Sequence, residues 1–97
     1  MSIDVASRRF AARVVEILRA ERLRKGISMR GLAQRSGLSQ PAISYMERGL
    51  RTPSLETAYR IAVALEIDLS KLIKWALAGD KTRSDPRTSH LRHSQNI

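Results

Sequence analysis

The stretch that decides the fold runs from Gly26 to Leu72 and reads GISMRGLAQRSGLSQPAISYMERGLRTPSLETAYRIAVALEIDLSKL. Three serines in it precede segments with apolar residues at helical spacing, so Ser28, Ser39 and Ser54 are good N-caps. Glycines follow the first two of these segments, where glycine commonly adopts the left-handed conformation that ends a helix. The pattern predicts three short helices in succession.

The first two of these short helices have the spacing of a helix-turn-helix. The first would bury Leu32 and Ala33, and the small alanine side chain would let the two helices cross closely. The second would bury Ile43 and Met46. Gly37 lies between them and permits the sharp turn, because glycine tolerates positive φ.

Three amphipathic patterns outside this motif, including the one already noted after Ser54, each predict a helix. The first spans about Asp4 to Lys25 without Gly or Pro, the fourth follows Ser54, and the fifth runs from Asp68 or Ser70 to Gly79. Their predicted buried residues are Phe10, Val14, Ile17, Leu18 and Leu23 in the first, Leu55, Ala58, Ile61, Ala62 and Leu65 in the fourth, and Leu69, Leu72, Ile73 and Ala76 in the fifth. No alternating β-branched run predicts a strand, so the predicted fold class is all-α.

A chain of 97 residues is expected to form one domain around one small core. Within it, residues 1–25 would form a long basic first helix, residues 26–79 the helix-turn-helix core, and residues 80–97 a flexible polar tail. The chain has no Cys, and His90 and His93 alone are too few to bind a metal. No nucleophile–base pair or phosphate-binding glycine loop is present, so we expect no cofactor, no metal, no catalytic residue and no enzyme activity.

The net charge of +9 favours a polyanionic partner, with nucleic acid ahead of an acidic membrane. The charge is spread along the chain, with +4 in residues 1–25, +3 in residues 26–79 and +2 in residues 80–97. No apolar run approaches the ~18 residues that span a bilayer. The first residues lack the hydrophobic part of a secretory signal, so we expect a cytoplasmic protein.

The stretch from Gly26 to Leu72 resembles the lambda-repressor-like, or XRE/Cro-type, family of helix-turn-helix proteins. The matching residues are Leu32-Ala33, Ser36-Gly37-Leu38-Ser39, Ile43-Ser44, Glu47-Arg48-Gly49, Arg51, Pro53-Ser54-Leu55 and Ile61-Ala62 with Ala64-Leu65. They cover about half of the chain, together with the end of the first helix. The resemblance implies a five-helix bundle that binds double-stranded DNA, here with an extended first helix. It also implies a sequence-specific transcriptional regulator, a repressor that binds a palindromic operator as a homodimer.

The resemblance makes residues 39–48 the recognition helix, whose N-terminal part would face base edges in the major groove. The base-reading residues would then be Gln40, Pro41, Ser44 and Tyr45. Gln40 suits this role because its amide can bond both N6 and N7 of adenine. Tyr45 could instead pack on a neighbouring helix.

Phosphate contacts are implied at two helix N-termini, at the end of the recognition helix and in the following loop. The residues are Ser28, Met29, Arg30, Ser39, Arg48 and Arg51. Free N–H groups at a helix N-terminus attract anions. The family often has Gln after the cap of the second helix, whereas this chain has Met29, whose side chain cannot bond a phosphate. Arg30 is the candidate replacement.

The resemblance also pairs Glu47 with Arg22 of the first helix through two parallel hydrogen bonds. We expect this pair to be partly exposed and to contribute about 1 kcal/mol or less to stability. Replacing Glu47 by Ala would then impair operator binding more than stability.

The dimer surface and the class of partner stay open at this point. Trp75, beside Leu77, either completes the core or contacts a second chain, where aromatic residues are enriched. Ile3, Val5 and Val15 offer a second surface. The main alternative function is an antitoxin-type protein-interaction module with accessory DNA binding and a toxin or regulator as its protein partner. A further alternative is membrane binding by residues 1–25 as a basic amphipathic helix.

Overall fold

The computed structural model of the chain describes residues 1–82, with side chains for residues 1–78. It contains five helices, α1 (Ile3–Arg24), α2 (Met29–Ser36), α3 (Gln40–Glu47), α4 (Leu55–Ala64) and α5 (Leu69–Thr82). No strand occurs in residues 1–82, which confirms the all-α prediction. Over the same range, every helix is too short or too polar to cross a membrane.

Serine caps begin the helices of the motif, as predicted. The hydroxyl oxygens of Ser28, Ser39 and Ser54 each accept a hydrogen bond from the backbone N–H three residues later. Ser2 caps α1 in the same way. Each cap satisfies one of the four N–H groups that a helix N-terminus leaves without an intrahelical partner.

The fifth helix begins at a carboxylate cap. The Oδ1 atom of Asp68 accepts hydrogen bonds from the hydroxyl of Ser70 at 2.7 Å and from its backbone N–H at 2.9 Å. Both bonds stabilise the ionised carboxyl group and so lower the pKa of Asp68. The bond from the Ser70 hydroxyl has the larger effect.

One hydrophobic core joins the five helices. α1 packs mainly on α5, whereas α2 packs on α3 and α4, so the core lies where the two groups meet. The buried residues of this core are Val14, Ile17, Leu18, Leu32, Ile43, Met46, Ile61, Ala62, Leu65, Leu72 and Ala76. Partly buried Phe10, Ala33 and Trp75 pack against them.

Two residues predicted to be buried are exposed, and a third position is buried against expectation. Leu23 is exposed, and the neighbouring Arg22 turns inward instead because each of its three guanidinium nitrogens donates a hydrogen bond inside the bundle. Leu55 is 71% exposed because it lies at the rim of an open apolar groove between α1, α4 and α5.

The predicted end of the fifth helix at Gly79 is also wrong, since α5 continues to Thr82. A glycine inside a helix lowers the stability of that helix by about 1 kcal/mol, but the helix can continue past it. The predicted tail boundary therefore falls inside the helix, and the rest of the tail, with His90 and His93, lies outside the described residues.

Three helices end with the same pair of backbone hydrogen bonds. After α1, α3 and α4, a residue with positive φ reverses the chain. The N–H of this residue bonds the carbonyl three residues back, and the following N–H bonds the carbonyl five residues back. Gly26 and Gly49 fill this position after α1 and α3. After α4 it is Glu66, at φ +60°, the only non-glycine residue with positive φ in the described part of the chain. The adjacent Leu65 carbonyl accepts a hydrogen bond from the ammonium group of Lys25, which joins the ends of α1 and α4.

Candidate nucleic-acid interface

α3 divides its residues between the core and the solvent. Ile43 and Met46 are almost completely buried, whereas Gln40 and Pro41 are exposed at the N-terminal end. Positions 40, 41, 44 and 45 lie on one helix face, as three- and four-residue spacing requires. Gln40, Ser44 and Tyr45 carry an amide and two hydroxyl groups, which can exchange hydrogen bonds with base edges.

Tyr45 lies on the exposed side of α3 and is 44% accessible to solvent. The guanidinium carbon of Arg48 lies 6.0 Å from the centre of its ring, at the outer limit of a cation–π contact. An exposed arginine from the end of α3 thus lies over the ring, and nearly half of the Tyr45 surface stays available to a ligand.

A buried ion pair fixes α3 to α1. The Nε and Nη2 atoms of Arg22 donate to the two carboxylate oxygens of Glu47 at 2.7 and 2.8 Å, and Nη1 donates to the carbonyl of Ile27 at 2.8 Å. The side chains are 7% and 2% exposed. The expectation of a partly exposed pair is therefore wrong, because the α1–α3 packing excludes water from both groups.

Removing one partner of such a pair leaves a buried charge without compensation, which costs about 3–5 kcal/mol. The estimate of about 1 kcal/mol or less applies to exposed pairs and does not hold here. We therefore expect Glu47 to contribute more to stability than an exposed partner would. Arg19 adds a weaker contact at the surface, with its Nε 3.7 Å from a carboxylate oxygen of Glu47.

The N-terminus of α2 forms a second group of predicted site residues. The hydroxyl of Ser28 caps the N–H of Gly31, and the carbonyl of Ser28 accepts from Leu32. The Met29 side chain packs against the core, so only its backbone N–H is placed to bond an anion. The Arg30 side chain is exposed.

The loop after α3 brings a third group together. Arg48 and Arg51 line one groove of about 380 Å³, whose opposite wall is the N-terminal part of α1. Arg8 lies on that wall, and it was not among the predicted site residues. No local signal identifies Arg8, because its position beside the loop depends on how α1 crosses the bundle.

The predicted dimer residues lie on α5, outside the α2–α3 motif. Trp75 packs half-buried against the core, whereas Leu77 is exposed. Within residues 1–78, no cluster of three or more His, Asp or Glu side chains could hold a metal ion.

Residues 18–72, from the C-terminal part of α1 to the first turn of α5, match a family model described as "Helix-turn-helix". The chain belongs to the helix-turn-helix family. The matched segment contains the whole of α2, α3 and α4, and the resemblance to XRE/Cro-type proteins is confirmed.

Two relatives carry the family's regulatory name. The uncharacterized HTH-type transcriptional regulator Rv0474 of Mycobacterium tuberculosis (strain ATCC 25618 / H37Rv) is 46% identical over 55 residues, which are 57% of this chain and 39% of that protein. The HTH-type transcriptional regulator SlrR of Bacillus subtilis (strain 168) is 40% identical over 57 residues, 58% of this chain and 38% of that protein. The chain thus spans about two fifths of the length of these helix-turn-helix relatives.

A solved structure shares the fold. The crystal structure of a mutant of the restriction-modification controller protein C.Esp1396I aligns with a TM-score of 0.71 at 24% identity and covers 77% of this chain and 97% of that one. The prediction of a five-helix lambda-repressor-like bundle is confirmed.

Proposed function

We propose that this helix-turn-helix protein is a sequence-specific DNA-binding transcriptional regulator, a repressor that reads the major groove with residues 39–48 as a homodimer on a palindromic operator. The observation that carries the proposal is the division of α3. Its inner face is fixed by Ile43, Met46 and the buried Glu47, while its N-terminal outer face is free to enter a groove. The regulatory names of the relatives support the same function.

The base-reading residues in this proposal are Gln40, Pro41, Ser44 and Tyr45. Gln40 bonds N6 and N7 of an adenine, and one such bidentate contact discriminates against a wrong base by about 1–3 kcal/mol. Pro41 and the exposed part of Tyr45 offer apolar surface to a thymine methyl group. The hydroxyl of Ser44 serves as donor or acceptor to any base.

The phosphate contacts come from the ends of α2 and α3 and from the following loop. The first-turn N–H groups at Ser28, Met29 and Ser39 attract anions because a helix N-terminus carries partial positive charge. The exposed guanidinium groups of Arg30, Arg48 and Arg51 supply the charged contacts.

Dimerisation follows from the size of the reading face. One recognition helix contacts few bases, so two copies related by a two-fold axis would read half-sites about 34 Å apart. Trp75 and Leu77 on α5 are the candidate contacts. The exposure of Leu77 supports the assignment more than the half-buried Trp75 does.

Selection of bound duplexes from a random pool tests the proposal directly. We expect a palindromic consensus with an adenine whose recovery depends on Gln40. The Gln40→Ala variant should lose preference at that position only, whereas Gln34→Ala, which removes an exposed amide from α2, should leave the consensus unchanged. Failure of the chain to enrich any sequence would contradict the proposal.

One observation favours the alternative of an antitoxin-type protein-interaction module with accessory DNA binding. Three large apolar side chains on α4, at four-residue spacing, are more than half exposed: Leu55, Tyr59 and Val63. A contiguous exposed apolar surface of this kind marks protein contacts. In that case the chain alone would give no consensus, and DNA binding would strengthen only with its partner.

A further inference from the structure

The N-terminal half of α1 extends beyond the helix-turn-helix unit. The helix begins at Ile3, whereas the family match begins at residue 18. The additional turns lead α1 past the loop that follows α3, and the two enclose the groove of about 380 Å³. Arg8 reaches this groove from α1, and Arg48 and Arg51 reach it from the other side.

The groove has an excess of positive charge. Glu47 lies at its edge, but both carboxylate oxygens of Glu47 are bonded to Arg22. Glu16, the other acid in its lining, is 64% exposed and bonded to Arg13 at 3.0 Å. Neither Arg8 nor Arg51 has a carboxylate partner among the side chains of residues 1–78.

The shape of the groove suits a small anionic group. Small residues, Ala11, Ala12 and Gly49, are part of its lining, together with apolar Val15 and Met46, and they leave an open volume next to the arginines. A Cβ added at Gly49 would meet no atom within 4 Å, which shows how open this wall is. Guanidinium groups match phosphate oxygens with two parallel hydrogen bonds and are always charged.

We propose that this groove binds one phosphodiester group of the DNA backbone, and that Arg8 contributes a phosphate contact from outside the helix-turn-helix unit. The inference rests on the proposed DNA-binding function. Arg48 directly follows α3 at the end opposite Gln40, so the contact lies away from the N-terminal, base-reading end of the helix. It therefore adds affinity without sequence preference.

The experiment compares the full-length protein with Arg8→Gln on a selected operator duplex and on a scrambled duplex, by fluorescence anisotropy at salt concentrations from about 50 to about 300 mM. Losing one neutralised phosphate should weaken binding on the order of fivefold at about 0.15 M salt and reduce the magnitude of the salt slope by about 0.9 per bound chain. Both duplexes should weaken by the same factor. Lys74→Gln removes one exposed charge from α5 and should change neither quantity beyond a small long-range effect.

Four outcomes overturn the inference. Unchanged affinity and slope for Arg8→Gln, with normal binding by the parent protein, refute the contact but leave the proposed function intact. Failure of the parent protein to bind any duplex refutes both. A loss confined to one sequence would make Arg8 a base contact. The last outcome combines two results: inorganic phosphate shifts the arginine side-chain NMR signals of the groove saturably, and Arg8→Gln leaves DNA binding unchanged. Together they would identify the groove as a site for free anions.

Discussion

Arg22 and Glu47 show how much a single residue's environment depends on its partner. The spacing of apolar residues places Leu23 in the buried stripe of the first helix, whereas the family resemblance pairs Arg22 with Glu47 in a partly exposed position. In the structure the positions are reversed, because Glu47 and the Ile27 carbonyl satisfy the guanidinium inside the bundle. Such a reversal was not predictable from periodicity, since it requires three segments to meet.

Replacing Glu47 by Ala should lower the free energy of unfolding by about 3–5 kcal/mol, because the buried guanidinium of Arg22 loses its counter-charge. Chemical denaturation measures the change. The matched control is Glu16→Ala, which breaks the exposed pair with Arg13 and should cost less than about 1 kcal/mol. Equal small effects for the two variants would mean that the buried pair contributes no more than the surface pair.

Helix beginnings were the most predictable elements of the fold. An N-cap depends on bonds within four residues, so Ser28, Ser39 and Ser54 could be assigned from the sequence alone. The errors arose where a local rule depended on distant packing. Leu55 has the correct spacing but lies at the rim of a groove, and Gly79 lies inside a helix that continues.

The end of α4 is a site for stabilisation. Glu66 adopts positive φ, which costs a residue with a side chain about 1–2 kcal/mol. Glu66→Gly removes this strain and should raise the free energy of unfolding by about 0.5–1 kcal/mol. The gain is smaller than the strain itself because glycine has more conformational freedom in the unfolded chain. Glu56→Gly, the same change in the first turn of α4, should instead destabilise by about 1 kcal/mol. If both variants lost stability alike in thermal melts, the left-handed position would carry no strain.

The start of α5 should make a small, acid-sensitive contribution to stability. The hydroxyl and N–H of Ser70 lower the pKa of Asp68 in the folded protein. The ionised Asp68 therefore adds its full stabilisation above the unfolded pKa of about 4. This stabilisation is lost as the pH falls through the lower pKa of the folded state. Asp68→Asn retains a cap without a titrating group, so the stability difference between the two proteins should shrink on acidification. A difference that stays constant from about pH 6 to about pH 2 would contradict this.

At the scale of the whole molecule, the fold class was predictable and the groove beside α3 was not. The helix-turn-helix is encoded within residues 26–72, and its apolar and glycine positions follow from that segment. The groove instead depends on the direction in which α1 leaves the bundle, which brings residues 8 and 51 together. Contacts across such a sequence distance leave no periodic signal.

The charge of +9 should appear in the salt dependence of DNA binding. We expect a slope of log affinity against log salt on the order of −5, for about six phosphates neutralised per bound unit. Titrations at several salt concentrations measure it, with the scrambled duplex as the comparison for sequence-independent attraction. An affinity that hardly changes with salt would contradict a binding mode dominated by phosphates.

The two-sided character of α3 also bears on how the proposed regulator would diverge. Ile43, Met46 and the Glu47 side chain are buried, whereas Gln40 is exposed and Ser44 is only half-buried. Substitutions at the outer positions are therefore nearly neutral for folding, so a lineage can change its preferred operator without first acquiring compensating mutations. A duplicated gene could acquire a new target through a few codons of one short helix.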